Sequence, residues 1–78
     1  MQKYKIELTT LADVREFISI AANCIPPIRI ANKDFTYIGN GKSLLNVMAS
    51  LEWDDLYVFS KDNKPNLYSL FNKFIVEE

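Results

Sequence analysis

Polar and apolar positions along the chain change period several times, and each change predicts an element. Tyr4, Ile6 and Leu8 alternate with Lys5 and Glu7, the pattern of a strand with one buried face. From Thr9 to Asn23 the period lengthens. Leu11, Val14, Phe17, Ile18, Ala21 and Ile25 recur at three and four, which predicts an amphipathic helix reaching from residue 10 towards residue 25. Thr10 followed three residues on by Asp13 resembles a capping box, and Pro26 and Pro27 are expected to stop the helix.

Beyond the prolines, "IRIAN" and "DFTYI" read as two strands joined at a tight turn by Asn32 and Lys33. "GNGK" is the expected next connection, its glycines supplying turn geometry. A short helix over 43–51 follows, with Ser43 at the N-cap and Leu44, Leu45, Val47, Met48 and Leu51 behind it. "LYVFS" predicts a fourth strand. Pro65 is expected in the first turn of a last helix whose apolar face is Leu67, Leu70, Phe71, Phe74 and Ile75. The order β-α-β-β-α-β-α, with one-faced strands, predicts a single α+β domain over 1–78. It is an open-faced two-layer sandwich: a four-stranded antiparallel sheet with three helices on one face.

Not every apolar residue of so short a second helix can face the sheet. Val47 and Leu51, four apart, are the expected core pair, and Leu44, Leu45 and Met48 are expected towards the flank. An exposed group of that kind is a reasonable protein-binding surface, and the alternative is that all five belong to the core.

Composition narrows the chemistry. At 78 residues the chain buries roughly 60% of its unfolded surface, and 49% apolar residues suffice for a core. Nine basic and ten acidic residues give a net charge of −1, with the basic ones scattered, which disfavours nucleic acid. No segment is apolar enough to be a membrane span or signal peptide, so a cytoplasmic protein is expected. The chain has one cysteine, Cys24, and no histidine. An internal disulfide, a thiolate zinc site, a histidine general base and a histidine-ligated metal are all excluded. Cys24 is expected as a small buried hydrophobe rather than a reactive thiol. Glu52, Asp54 and Asp55 around Trp53 read as a solvated turn, since a calcium loop needs a longer ligand pattern. "GNGK" lacks the spacing of a phosphate-binding loop. No cofactor or metal is expected.

At this length and element order the chain resembles HPr, the histidine-containing phosphocarrier family of the sugar phosphotransferase system. Members commonly read K-S-I-M-G-V-M-S-L in their second helix. Here Lys42 to Leu51 reads K-S-L-L-N-V-M-A-S-L, with Asn46 in place of the glycine and one residue added before the final Ser-Leu. The family's phosphorylated histidine lies in G-I-H-A-R-P after the first strand. Ungapped, that stretch falls on "LADVRE", so Asp13 replaces the histidine, Arg15 keeps the arginine and Glu16 replaces the proline.

The resemblance therefore implies the family's fold without its chemistry. It implies an HPr-like, non-enzymatic protein that binds a protein partner through the 43–51 helix and the start of the 10–25 helix, with Leu44, Leu45 and Met48 in contact. It also implies Ser43 as a candidate for regulatory phosphorylation. The competing expectation is a working phosphocarrier with Asp13 as an unconventional acceptor. Against that stands the bland role of Asp13, a first-turn acid that stabilises the helix start, or a permanent imitation of the phosphorylated state. Arg15 could pair with Asp13 or Glu16.

Overall fold

A run of five residues, Gln2–Ile6, forms the first strand, β1, of the computed structural model, which describes residues 1–76. The last two positions of the expected 1–78 domain lie outside the described residues. There follow α1 (Leu11–Ala22), β2 (Arg29–Ala31), β3 (Ile38–Asn40), α2 (Leu44–Ser50), β4 (Leu56–Ser60) and α3 (Leu67–Phe71). The strands make one antiparallel sheet in the order β1-β4-β2-β3. Three helices pack on one face, as the alternating periods predict. The core between the layers joins Ile6, Ile30, Leu56 and Val58 of the sheet to Val14 and Phe17 of α1, Val47 of α2, and Leu67 and Phe71 of α3. Phe17 and Phe71 meet with ring centroids 4.8 Å apart.

The helix starts follow from side-chain acceptors. Thr10 Oγ1 accepts from the Asp13 N–H at 3.1 Å, Ser43 Oγ from the Asn46 N–H at 3.3 Å, and Asn66 Oδ1 from the Ser69 N–H at 3.2 Å. Each satisfies an amide that the first helical turn leaves without a carbonyl.

Several boundaries differ from the sequence reading, each for an identifiable reason. β1 ends at Ile6, so Leu8 packs on the core from a loop and not from the strand. α1 closes at Asn23 with a 3.1 Å bond from its N–H to Ile20 O, which leaves Ile25 outside the helix and 90% exposed. A residue before proline is pushed out of the helical region, so Ile25 could not extend the apolar face. Leu11, in the first turn, is exposed because its Cβ points back past the packed turns.

Residues 34–37 of the expected strand 34–38 are not strand; only Ile38 is. β2 and β3 pair over three residues each, Arg29 with Asn40, Ile30 with Gly39 and Ala31 with Ile38, and 32–37 is the loop between them. Asn32 closes that loop: its N–H donates to Tyr37 O and its Oδ1 accepts from the Tyr37 N–H, at 3.1 and 3.0 Å. Gly39 and Asn40 thus belong to a strand, and neither glycine has a positive φ. Gly39 is needed for close approach instead, since a Cβ there would lie 3.1 Å from Asn46 Cβ in α2.

In α2 the inward pair is Val47 and Ser50, while Leu51 is 42% exposed. Bonds from Leu51, Glu52 and Trp53 N–H groups to carbonyls three residues back tighten the end of this helix. With three residues per turn, position 50 eclipses 47 and Leu51 rotates outward. Ser50 is accommodated by donating its hydroxyl to Val47 O at 2.6 Å.

At the C-terminal end, Pro65 precedes the cap Asn66 rather than entering α3, and its carbonyl accepts from Gln2 Nε2 at 2.7 Å. The helix stops at Phe71, and Leu70 is exposed. The chain then runs along the outer edge of β1, where the Glu7 N–H donates to Phe74 O and the Val76 N–H to Lys5 O, both at 2.9 Å. Free backbone groups on an edge strand compete successfully with another helical turn.

β4 is buried along its whole length. Leu56 and Val58 face the helices, whereas Tyr57 and Phe59 face the other way, and the 32–37 loop lays Phe35 over Phe59. Phe35 meets Phe59 edge-on at 5.0 Å, and the Lys3 ammonium lies 4.3 Å from the Phe35 ring and 4.6 Å from that of Tyr57.

Candidate functional site

The residues singled out by sequence lie at the starts of α1 and α2, two helices that pack against each other. At the start of α1, Asp13 Oδ2 accepts from the Thr9 N–H (3.0 Å), the Thr9 hydroxyl (2.9 Å) and the Thr10 N–H (3.3 Å). The capping box therefore reaches one residue further back than its spacing indicates. These bonds to the ionised form, with those of Thr9 dominant, hold the Asp13 carboxyl below its ordinary value. Asp13 occupies the very donors that would otherwise meet an incoming anion.

Arg15 pairs with neither expected partner. Asp13 is engaged by Thr9 and Thr10, and Glu16 pairs with Lys73 at 2.7 Å, tying α1 to the segment after α3. The Arg15 side chain is exposed and has no hydrogen bond or ion pair among the described residues. Nor does a hydrogen bond or ion pair link Asp13, Arg15 and Ser43 there. The three do not form a polar constellation.

The start of α2 is built differently. Asn40 Oδ1 accepts from the Lys42 N–H at 3.0 Å, shaping the turn that delivers Ser43 to its capping position. Asn46, one turn in, accepts from the Asn40 N–H at 2.7 Å and locks the helix to β3. Val47 and Ser50 face inward, which turns the other side of the helix to solvent: Leu44 is 53% exposed, Leu45 82% and Met48 44%. Leu51 and Leu11 add exposed apolar surface at the end of α2 and the start of α1. Of the two readings of these residues, the flanking one holds for Leu44, Leu45 and Met48.

Elsewhere the side chains are occupied structurally. Cys24 is half-buried, its thiol donates to Ile20 O at 3.4 Å, and desolvation pushes its ionisation upward. Asp55 pairs with Lys5 at 3.2 Å. Trp53 stacks on Tyr37 with centroids 5.8 Å apart, a contact between the β2–β3 loop and the turn before β4 that no local pattern signals. Among the described residues, no group of three or more potential ligands is placed to hold a metal ion, and no helix is long and apolar enough to cross a membrane. No family model, curated protein or solved structure matches the chain.

Proposed function

We propose that this chain is a non-catalytic, HPr-like binding protein of the cytoplasm, which docks a protein partner through the exposed side of α2. The observation that carries this reading is the outward display of Leu44, Leu45 and Met48 on a helix whose inward side is already anchored by Val47 and Asn46. Neighbouring apolar side chains held at the surface by a fixed helix offer contact area at little ordering cost. Asp13 supports the non-catalytic half of the proposal, because its carboxylate is committed to the helix start by bonds from Thr9 and Thr10.

Ser43 adjoins the patch and is the place where a modification would act. A phosphate there would add charge beside Lys42 at the edge of the contact surface and bias partner choice.

Incubation with phosphoenolpyruvate and the first enzyme of the phosphotransferase system should leave the mass of the protein unchanged. A gain of one phosphate that disappears in Asp13→Asn would establish the carrier alternative instead. For the binding half, the wild-type chain and the Leu45→Glu/Met48→Lys variant are compared as baits in a bacterial extract. A partner retained by wild type and lost by the equally folded variant is the expected outcome. Retention by both would remove α2 from the interface.

A further inference from the structure

The sheet face turned away from the helices carries a second candidate. Register places Lys3, Phe59 and Arg29 in one row across β1, β4 and β2 on that face. The 32–37 loop folds back over part of it, and a groove of about 400 Å³ remains, lined by Met1, Arg29, Phe35, Ile38, Phe59 and Lys61. Its floor and walls are apolar: the Phe35 and Phe59 rings, the exposed Ile38 and the Met1 side chain. Arg29 and Lys61 supply its charge. Both are exposed, and neither has a hydrogen bond or ion pair to its side chain among the described residues. Lys3, by contrast, is occupied by the Phe35 and Tyr57 rings and by Lys33 O at 3.1 Å. Asp62 lines the adjoining cleft with Arg29 and Lys61 but pairs with neither.

We propose that this groove binds a small amphipathic carboxylate, an arylalkyl or medium-chain acid. Its carboxylate lies between the Arg29 guanidinium and the Lys61 ammonium, and its apolar body lies across Phe59, Phe35 and Ile38. Charge complementarity selects this class. Two unpaired cations at the edge of an apolar floor reject cationic amphiphiles and give a neutral one nothing to pair with, and the planar fork of arginine matches a carboxylate. The volume is in the range of small-ligand sites, roughly 300–1,000 Å³. Because the groove is open, the affinity is modest, in the millimolar to sub-millimolar range.

The test is an amide-resolved NMR titration of the protein with phenylbutyrate, alongside phenylbutanol and phenylbutylamine as neutral and cationic counterparts. Saturable shifts confined to the surroundings of Arg29, Phe35, Ile38, Phe59 and Lys61 are expected with the acid. The alcohol should bind about tenfold more weakly or worse, and the amine not at all. Arg29→Gln with Lys61→Gln should cost about tenfold or more in affinity for the acid without moving the thermal midpoint. Ile38→Glu, an exposed position, should abolish binding while amide dispersion is retained. Equal binding of acid and alcohol, undiminished affinity in the double variant, shifts centred elsewhere, or no saturation would each overturn the proposal. So would sedimentation with phosphatidylglycerol vesicles in the absence of any response to the free acid, which would make this face a membrane-surface contact.

Discussion

Asn46 Oδ1 accepts a 2.7 Å hydrogen bond from the Asn40 N–H, and the same side chain lies against Gly39, where an added Cβ would come within 3.1 Å of it. One residue thus fixes the height of α2 above β3. Gly39→Ala should destabilise the fold by about 1–3 kcal/mol, because the atom it meets is anchored to helix backbone and cannot swing aside. Asn46→Ala should cost about 1–2 kcal/mol by leaving the part-buried Asn40 amide without its acceptor. Since the two act on one contact, their effects in a double-mutant cycle should not add. Urea melts of the four proteins measure this.

Ser43→Ala should lower stability by about 0.5–2 kcal/mol, and Ser43→Asp should be nearly neutral, because aspartate caps as well as serine. The cap matters here because α2 is only seven residues long and has little else at its start. Equal denaturation midpoints for wild type and Ser43→Ala would refute the capping role and leave modification as the reason for a serine.

The bonds to Asp13 make part of the stability depend on pH. Its folded ionisation lies below the ordinary carboxylate value of about 3.9. The contribution is therefore complete above that value and is lost as pH falls through the lower, folded one. Wild type should be more stable than Asp13→Asn at neutral pH, and the difference should shrink steadily in acid. A constant difference from neutral pH to strong acid would mean that the charge contributes nothing.

Phe35 has φ 58°, a left-handed conformation that a side chain normally avoids, and its ring covers Phe59 beneath the Lys3 ammonium. Phe35→Ala should cost about 1–2 kcal/mol through the lost ring contacts. Phe35→Gly should be no worse than alanine, against the usual order, because glycine adopts that φ without strain. Thermal melts in which glycine falls well below alanine would show that the backbone at this position is not under strain.

Leu45→Glu/Met48→Lys should melt within about 0.5 kcal/mol of wild type, since both side chains already face water. A large loss would show that the patch contributes to the fold rather than to binding.

The sequence by itself determined the kind and order of the elements, and how the first two helices begin. Period and capping are local: Thr10 with Asp13, and Ser43 ahead of Leu44, specify helix starts through bonds spanning only a few residues. The exposure of Leu44, Leu45 and Met48 was one of two readings the sequence left open, and the packing of Val47 against the sheet decides for it. The inward partner of Val47 was not legible. Leu51 gave way to Ser50 when the end of α2 tightened to three residues per turn.

Only the tertiary structure decided what each element faces. "LYVFS" has no polar side in its pattern, but nothing local tells which of its faces the helices take. The other face closes through Lys3 and Phe35, residues remote in sequence from Tyr57 and Phe59. The sheet register likewise moved β3 from the expected 34–38 to Ile38–Asn40, freeing a loop to fold back and leaving Arg29, Ile38 and Lys61 around one groove. The edge of β1 drew Phe74 and Ile75 out of the expected helix. Periodicity reports on which side of its own element a residue lies. Burial of that side depends on the chain that happens to pack there, and that is settled by closing loops between distant segments.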